Sequence, residues 1–418
     1  MHNLVLSGKQ MNIKWSKFLL LLLSFETLGL PTAIVQTTPP IYLFCIISIP
    51  FFLRDTKFTP NLQLLLFFLS YATLLSLGYF FFEIFNSSTA VTSLRIINFL
   101  RQFSSLLLGV LLFIVVRRVI ENLGIETALR YVIMGIIPIF ASFLILDLSN
   151  FIASPNTYRS QGYFSEPSHL AEYIVQIIFG SIYIYTGLPN HSKKITNYGL
   201  LFYAFLGVLL ILITSSGTGV IRIILLVLGI FLFETNKQLK RIILAVFLIL
   251  SMLAALFFYF MQDVYLVNIV SSLPESRDEI SSFVDRYYSF VGPFSKSLQS
   301  KVLLGYGLGG DSIYFNEFYP NEFIEIVQSV KNGGFSLVSF WGKIYVFTGV
   351  IGMLIWGTII YNAFKKARIY SFTLKIRAII FSIFIYGFIG GGAFLFVHTW
   401  FWLAVLDGLG LLSKNYDT

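Results

Sequence analysis

The stretch Leu106-Leu-Leu-Gly-Val-Leu-Leu-Phe-Ile-Val-Val116-Arg-Arg118 decides the fold class. No charge interrupts it after Arg101, and it ends abruptly on two arginines. Extended back to Arg95, the run reaches the length of about 20 residues that a helix needs to cross a hydrocarbon core of about 30 Å. It has none of the period-two alternation that marks a membrane β-barrel. Similar runs recur along the chain, at roughly 16–35, 39–53, 62–82, 95–116, 130–148, 168–188, 198–213, 218–233, 242–261, 337–360, 376–391 and 393–412.

Composition agrees with this reading. Of 418 residues, 56% are apolar and only 12% charged, against about 25% charged in an ordinary soluble domain. A chain with so little charge could not cover a water-facing surface. The expectation is an all-α polytopic integral membrane protein with about 12 transmembrane helices and one long external loop. Residues 1–261 form a membrane domain of the first nine spans with an external loop at 149–167. Residues 262–336 form a large extracytoplasmic loop, and 337–418 a second membrane part with the last three spans. The N-terminal Lys9, Lys14 and Lys17 followed by an apolar run resemble a secretory signal, but with so many spans downstream the segment reads as a retained first helix.

The net charge of +9 is a topology signal rather than a nucleic-acid footprint. With the N-terminus inside, the short alternate loops hold 19 of the 29 lysines and arginines, among them Arg54, Arg117, Arg118, Lys193, Lys240, Lys365 and Lys375. The positive-inside rule then puts both termini in the cytoplasm. The long external loop is different in kind, with nine acids, five bases and many tyrosines. A linker would be richer in Gly, Ser and Pro, so this loop is expected to fold onto the membrane face and carry function. The single cysteine, Cys45, excludes an intramolecular disulfide, and no Cys/His cluster offers a metal site.

Arginines near the outer boundary are informative. With Arg117 as the inner end of its span, Arg101 lies about 24 Å and Arg95 about 33 Å away along a helix. Arg222 lies about 22 Å from Lys237 by the same measure. Such arginines either snorkel to headgroups or face a cavity or partner, and several converging would suit a pyrophosphate. The densest cluster is Arg159-Ser-Gln-Gly162-Tyr-Phe-Ser-Glu166-Pro-Ser168-His169. Part of it reads as a helix start, with Ser165 as N-cap and Glu166 near the positive end of the dipole. That leaves Arg159, Gly162 and His169 unexplained. In the long loop, Glu275-Ser-Arg277-Asp278-Glu279 and Asp285-Arg286 read as surface ion pairs or as substrate contacts. Gly305-Tyr-Gly-Leu-Gly-Gly310 lacks the Gly-Lys-Ser/Thr ending of a nucleotide loop and reads as a tight packing point or a ligand-binding nest. His398 opens the last span near the outside.

Arg159-x-x-Gly162-x-x-x-Glu166-Pro-Ser resembles the external motif of O-antigen and exopolysaccharide polymerases, relatives of the O-antigen ligases. Ile213-Thr-Ser-Ser216-Gly-Thr-Gly219, Leu304-Gly-Tyr-Gly-Leu-Gly309 and Gly349-Val-Ile-Gly352 fit the same family in order and position, and the likeness covers about residues 60 to 411. Two departures stand out. Ser216 is followed by Gly217 where the family often has arginine, with Arg222 five residues on. The ligases typically carry a histidine eleven residues before the first Gly of Gly-x-x-Gly, where this chain has Val338.

The resemblance implies a GT-C-like membrane glycosyltransferase in the bacterial cytoplasmic membrane. It would join undecaprenyl-pyrophosphate-linked repeat units at the outer face, with no cofactor and no metal. Arg159, Arg222 and Arg277 would bind pyrophosphate, and Arg101, His169, Arg286 and His398 would complete the substrate site. Glu166 or Asp278 would assist the acceptor hydroxyl. The partners expected are the lipid-linked oligosaccharides, membrane lipids, a chain-length regulator and a flippase, but not nucleic acid. Two alternatives stay open, an O-antigen ligase and a polysaccharide transporter. A transporter should carry charged residues along a path through the membrane, and the inner halves of the spans offer few.

Overall fold

Apolar runs fold as helices in hydrocarbon because every backbone N–H and C=O must there be bonded internally. The computed structural model of the chain describes residues 13–23, 40–52, 57–86, 89–153, 167–188, 195–214, 217–234, 303–310, 337–366, 371–390 and 397–414, with a few residues between 236 and 245 and between 289 and 293. Among the described residues the chain is all-helical, with no strand. Among the described residues, five helical stretches are long and apolar enough to cross a membrane: Pro60–Phe81, Ile96–Leu123, Ile125–Asn150, Asn197–Thr214 and Phe340–Lys366.

In chain order the helices are α1 (13–22), α2 (Pro40–Phe52), α3 (Pro60–Asn86) and α4 (Thr89–Leu123). A nearly continuous run follows as α5 (Ile125–Met134), α6 (Ile136–Ser142), a wider π turn at Phe143–Asp147, and α7 (Leu148–Ala153). Next come α8 (Pro167–Tyr173), a second π turn at Ile174–Phe179, and α9 (Gly180–Tyr185), again almost without a break. The remainder are α10 (Asn197–Thr214), α11 (Gly217–Phe233), α12 (Phe340–Lys366), α13 (Ser371–Tyr386) and α14 (Val397–Lys414). Each of these helices overlaps an apolar run read from the sequence except α7, which lies almost wholly in the expected external loop at 149–167. The run at 242–261 and nearly all of the 262–336 loop lie outside the described residues.

Helix α4 runs past Arg117 to Leu123. The Arg117 guanidinium is fully buried and pairs with Asp407 of α14 at 3.2 Å.

Small residues set the closest helix contacts, as expected where no hydrophobic force pulls helices together in lipid. On α4, Gly109 lies directly beneath the indole of Trp400 of α14. On α11, a Cβ at Gly229 would stand 2.5 Å from the carbonyl oxygen of Ala378 on α13. Between these pairs sits an aromatic core in which Trp356 meets Phe68, Phe340 and Trp400 edge-on at 5.8, 5.1 and 5.8 Å. This edge-to-face packing suits the ring quadrupoles. Outward faces are apolar too: Phe67, Leu74 and Phe81 of α3 recur every seventh residue and are exposed. A lipid-facing stripe has this spacing.

Helix α12 is broken at Gly349, whose φ of 60° and ψ of −152° lie outside the helical region. Into the break packs the glycine-rich segment 303–310. Tyr306 and Gly307 donate their amides to the carbonyls of Val346 and Phe347, at 2.7 and 2.9 Å. Gly305, Gly307 and Gly309 all have φ near +80°. Their absent side chains admit, in turn, the backbones of Phe347, Ser76 and Phe99.

Candidate functional site

The end of the bundle at which α8 and α14 begin and α13 ends is called here the upper end. Helices α8 and α11 approach closely there because Gly219 faces the methyl group of Ala171, where an added Cβ would stand 2.8 Å away. One residue beyond Ala171 is Glu172, and one turn beyond Gly219 is Arg222. The small-residue contact thus seats a cation against an anion.

Arg222 is completely buried, and each part of its guanidinium is used differently. Nη2 pairs with Glu172 Oε1 at 2.9 Å. Nη1 lies 3.4 Å from His398 Nε2 on α14; since arginine can only donate, that ring nitrogen must accept. The guanidinium carbon sits 3.8 Å from the ring centroid of Tyr386, the last residue of α13. The planar face therefore stacks on an aromatic ring while two edges bind polar groups, an arrangement open to arginine but not to lysine. His169, one helical turn before Glu172, is close enough to His398 for the two imidazoles to interact electrostatically.

A small cavity adjoins this cluster. Arg222, His398 and Thr399 give it a polar wall, and Phe340, Ile383 and Phe384 an apolar one. Its free room is about that of a single water molecule, far below the roughly 300–1,000 Å³ of a drug-sized ligand site. The π turn at Ile174–Phe179 follows Glu172 directly, and π turns inside α-helices are frequent at functional sites.

Of the residues singled out from the sequence, Arg222, His169 and His398 are brought together. Arg101 lies partly buried on α4, and no contact among the described residues joins it to this cluster. Arg159, Glu166, Arg277, Asp278 and Arg286 lie outside the described residues. The sequence reading overlooked Glu172 and Tyr386. The signal for Glu172 was available: an acid inside an apolar span calls for a partner as much as an arginine does. It also sits at i+3 from His169, on the same helix face.

The glycine-rich segment is a packing element rather than a ligand nest. Its amides at Tyr306 and Gly307 go to α12, that of Leu308 to Ser76 Oγ at 2.7 Å, and that of Gly310 to Gly307. Gly349 in turn lies against the carbonyl of Leu303. The two glycine motifs of the resemblance are thus one structural joint.

The lower end pairs charges that the sequence reading had placed in the inside loops with one, Asp407, that it did not count. Asp407, fully buried, accepts from Thr59 Oγ1 at 2.5 Å and pairs with Arg117 at 3.2 Å and with Lys366. Glu234 accepts the Tyr183 hydroxyl at 2.8 Å and faces Lys375 at 3.5 Å. These groups pair across helices, tying α4, α12 and α14 in one case and α9, α11 and α13 in the other. These buried charges act as clamps between helices. Among the described residues, no three His, Cys, Asp or Glu side chains are grouped to hold a metal ion.

No protein-family model, curated protein or solved structure matches the chain.

Proposed function

We propose that the chain is a polysaccharide polymerase of the bacterial cytoplasmic membrane, with about 12 spans and both termini in the cytoplasm. In this reading the upper end of the bundle is the outer face. The enzyme joins undecaprenyl-pyrophosphate-linked repeat units there, alongside a flippase and a chain-length regulator. The observation that carries the reading is the buried Arg222, held with its two edges and face engaged beside His169, His398 and a carboxylate. A buried cation of fixed geometry is the group that a departing pyrophosphate needs, because charge develops on its oxygens as the glycosidic bond breaks. Outside the cytoplasmic membrane no nucleotide supply exists, so the donor must bring its own leaving group. The resemblance around Arg159 to Ser168, at the entry to α8, points to the same chemistry.

The test is a polysaccharide gel from cells lacking the protein, with the wild-type copy restored as control. Loss of the long ladder, with single repeat units still exported and attached, is expected. Full-length polymer stranded on its lipid carrier would instead indicate a ligase, and lipid-linked units trapped inside would indicate a transporter.

A further inference from the structure

The two buried carboxylates that pair with fully buried arginines are not satisfied equally. At the lower end both oxygens of Asp407 are engaged, Oδ1 by Lys366 and Oδ2 by Arg117 and Thr59. At the upper end only Oε1 of Glu172 is engaged. Its Oε2 is buried and has no hydrogen-bond partner; Nε is without one on both Arg222 and Arg117, so the carboxylates carry the difference. Glu172 is itself about nineteen-twentieths buried, with 5% exposure. An unsatisfied buried oxygen on a charged group is costly, so the lower pair has the satisfaction of a permanent clamp and the upper pair does not. Beside the upper pair lies a water-sized cavity walled by Arg222 and His398, too small to seat a pyrophosphate next to Glu172, so an anion takes the guanidinium only in place of that carboxylate.

We propose that Glu172 is an internal stand-in for the donor's pyrophosphate, holding Arg222 until the donor arrives and released by it as the proton acceptor for the acceptor hydroxyl. This rests on the polymerase reading above. A pyrophosphate carries more negative charge than a carboxylate and can bind a guanidinium through two oxygens, so it displaces Glu172 rather than adding to it. The freed carboxylate takes the proton of the acceptor's hydroxyl as that oxygen bonds to the donor's anomeric carbon. The bond from this carbon to the phosphate oxygen breaks with its electron pair going to the pyrophosphate, whose charge Arg222 receives. The proton then passes from Glu172 to the departing pyrophosphate, which restores the carboxylate to Arg222. Donor binding and base release become one event, which orders the two substrates, donor first.

The exchange makes a prediction opposite to that of a simple brace. Full-length protein in lipid nanodiscs is titrated calorimetrically with inorganic pyrophosphate in metal-free buffer, and the same variants are read by polysaccharide ladder in cells. Removing the competing charge with Glu172→Gln should tighten pyrophosphate binding roughly tenfold, the scale on which close charge pairs act at binding sites, while the ladder is lost. Weaker or unchanged binding would make Glu172 a brace for Arg222 and overturn the exchange, and an undiminished ladder would overturn its role as proton acceptor. Glu172→Asp serves where the glutamine variant fails to fold. Its shorter reach should loosen the pair and tighten pyrophosphate binding while keeping a partial ladder, and binding weaker than wild type would again overturn the exchange. The calorimetric arm requires no polymerisation, so a normal ladder in cells lacking the whole protein would remove the polymerase reading without touching the binding result.

Discussion

Gly307 donates its amide to the carbonyl of Phe347 at 2.9 Å, two residues before the break in α12 at Gly349. The break interrupts the helical ladder, and the segment 303–310 supplies donors to the carbonyls left by it. Irregular backbone at membrane depth is tolerated where protein covers it in this way. The joint also couples α12 to α3 and α4, because Gly307 lies against Ser76 and Gly309 against Phe99.

Gly349→Ala should therefore undo more than a local turn. A Cβ there is strained by the positive φ and meets the carbonyl of Leu303. The backbone strain alone is worth about 1–3 kcal/mol. The expected outcome is a lowered unfolding temperature in detergent and faster protease cleavage within 303–310. Gly357→Ala, in the same helix with nothing within 4 Å of its added Cβ, should be neutral or gain up to about 1 kcal/mol. Equal loss in both variants would mean that the joint contributes nothing specific.

The contact of Gly109 with Trp400 predicts a compensating pair. Gly109→Ala places its methyl group inside the indole of a fully buried tryptophan, and overpacking of this kind costs about 1–3 kcal/mol. Trp400→Phe removes the six-membered part of the obstruction. The double variant should be more stable than Gly109→Ala alone, read as detergent-solubilised unfolding temperatures in a double-mutant cycle. Simple additivity would show that α4 and α14 do not meet here.

Hydropathy made the helices legible because each must be apolar along most of its length to sit in hydrocarbon. Arg222 and His398 were legible for a related reason, since a polar group inside such a run needs a partner. The partners themselves were not. Asp407 lies 290 residues from Arg117, so only the packing of α4 on α14 reveals that one compensates the other. The break at Gly349 and the π turns at Phe143–Asp147 and Ile174–Phe179 were equally hidden, because hydropathy averages over the residues whose dihedral angles differ. The glycines of 305–309 were seen as a motif, yet their purpose depends on α12 presenting two carbonyls to them.

The Asp407 clamp should respond according to burial. Arg117→Ala leaves Asp407, at 0% exposure, without its buried cation. Breaking a buried pair from one side costs about 3–5 kcal/mol. Lys366→Ala leaves Oδ1 of the buried Asp407 unsatisfied while Arg117 still balances its charge, and a smaller loss of about 1–3 kcal/mol is expected. Unfolding midpoints of the two variants in the same detergent decide this. A larger loss from Lys366→Ala would make the lysine, not the arginine, the principal partner.

Arg222 separates stability from function. Arg222→Ala strands the Glu172 carboxylate in a dry interior, which should destabilise the protein by about 3–5 kcal/mol, so loss of polymer in that variant proves little. Replacing both residues, as Arg222→Met with Glu172→Leu, removes the stranded charge, and such apolar replacements of a buried pair are often neutral or stabilising. The double variant should therefore recover a near wild-type unfolding temperature while producing no ladder. Arg222→Lys keeps the charge but loses the flat face on Tyr386 and the second edge toward His398, and it too should fold and fail. If the double variant folds and still makes long polymer, the Arg222 cluster is a structural clamp like Asp407, and the site of chemistry lies elsewhere on the chain.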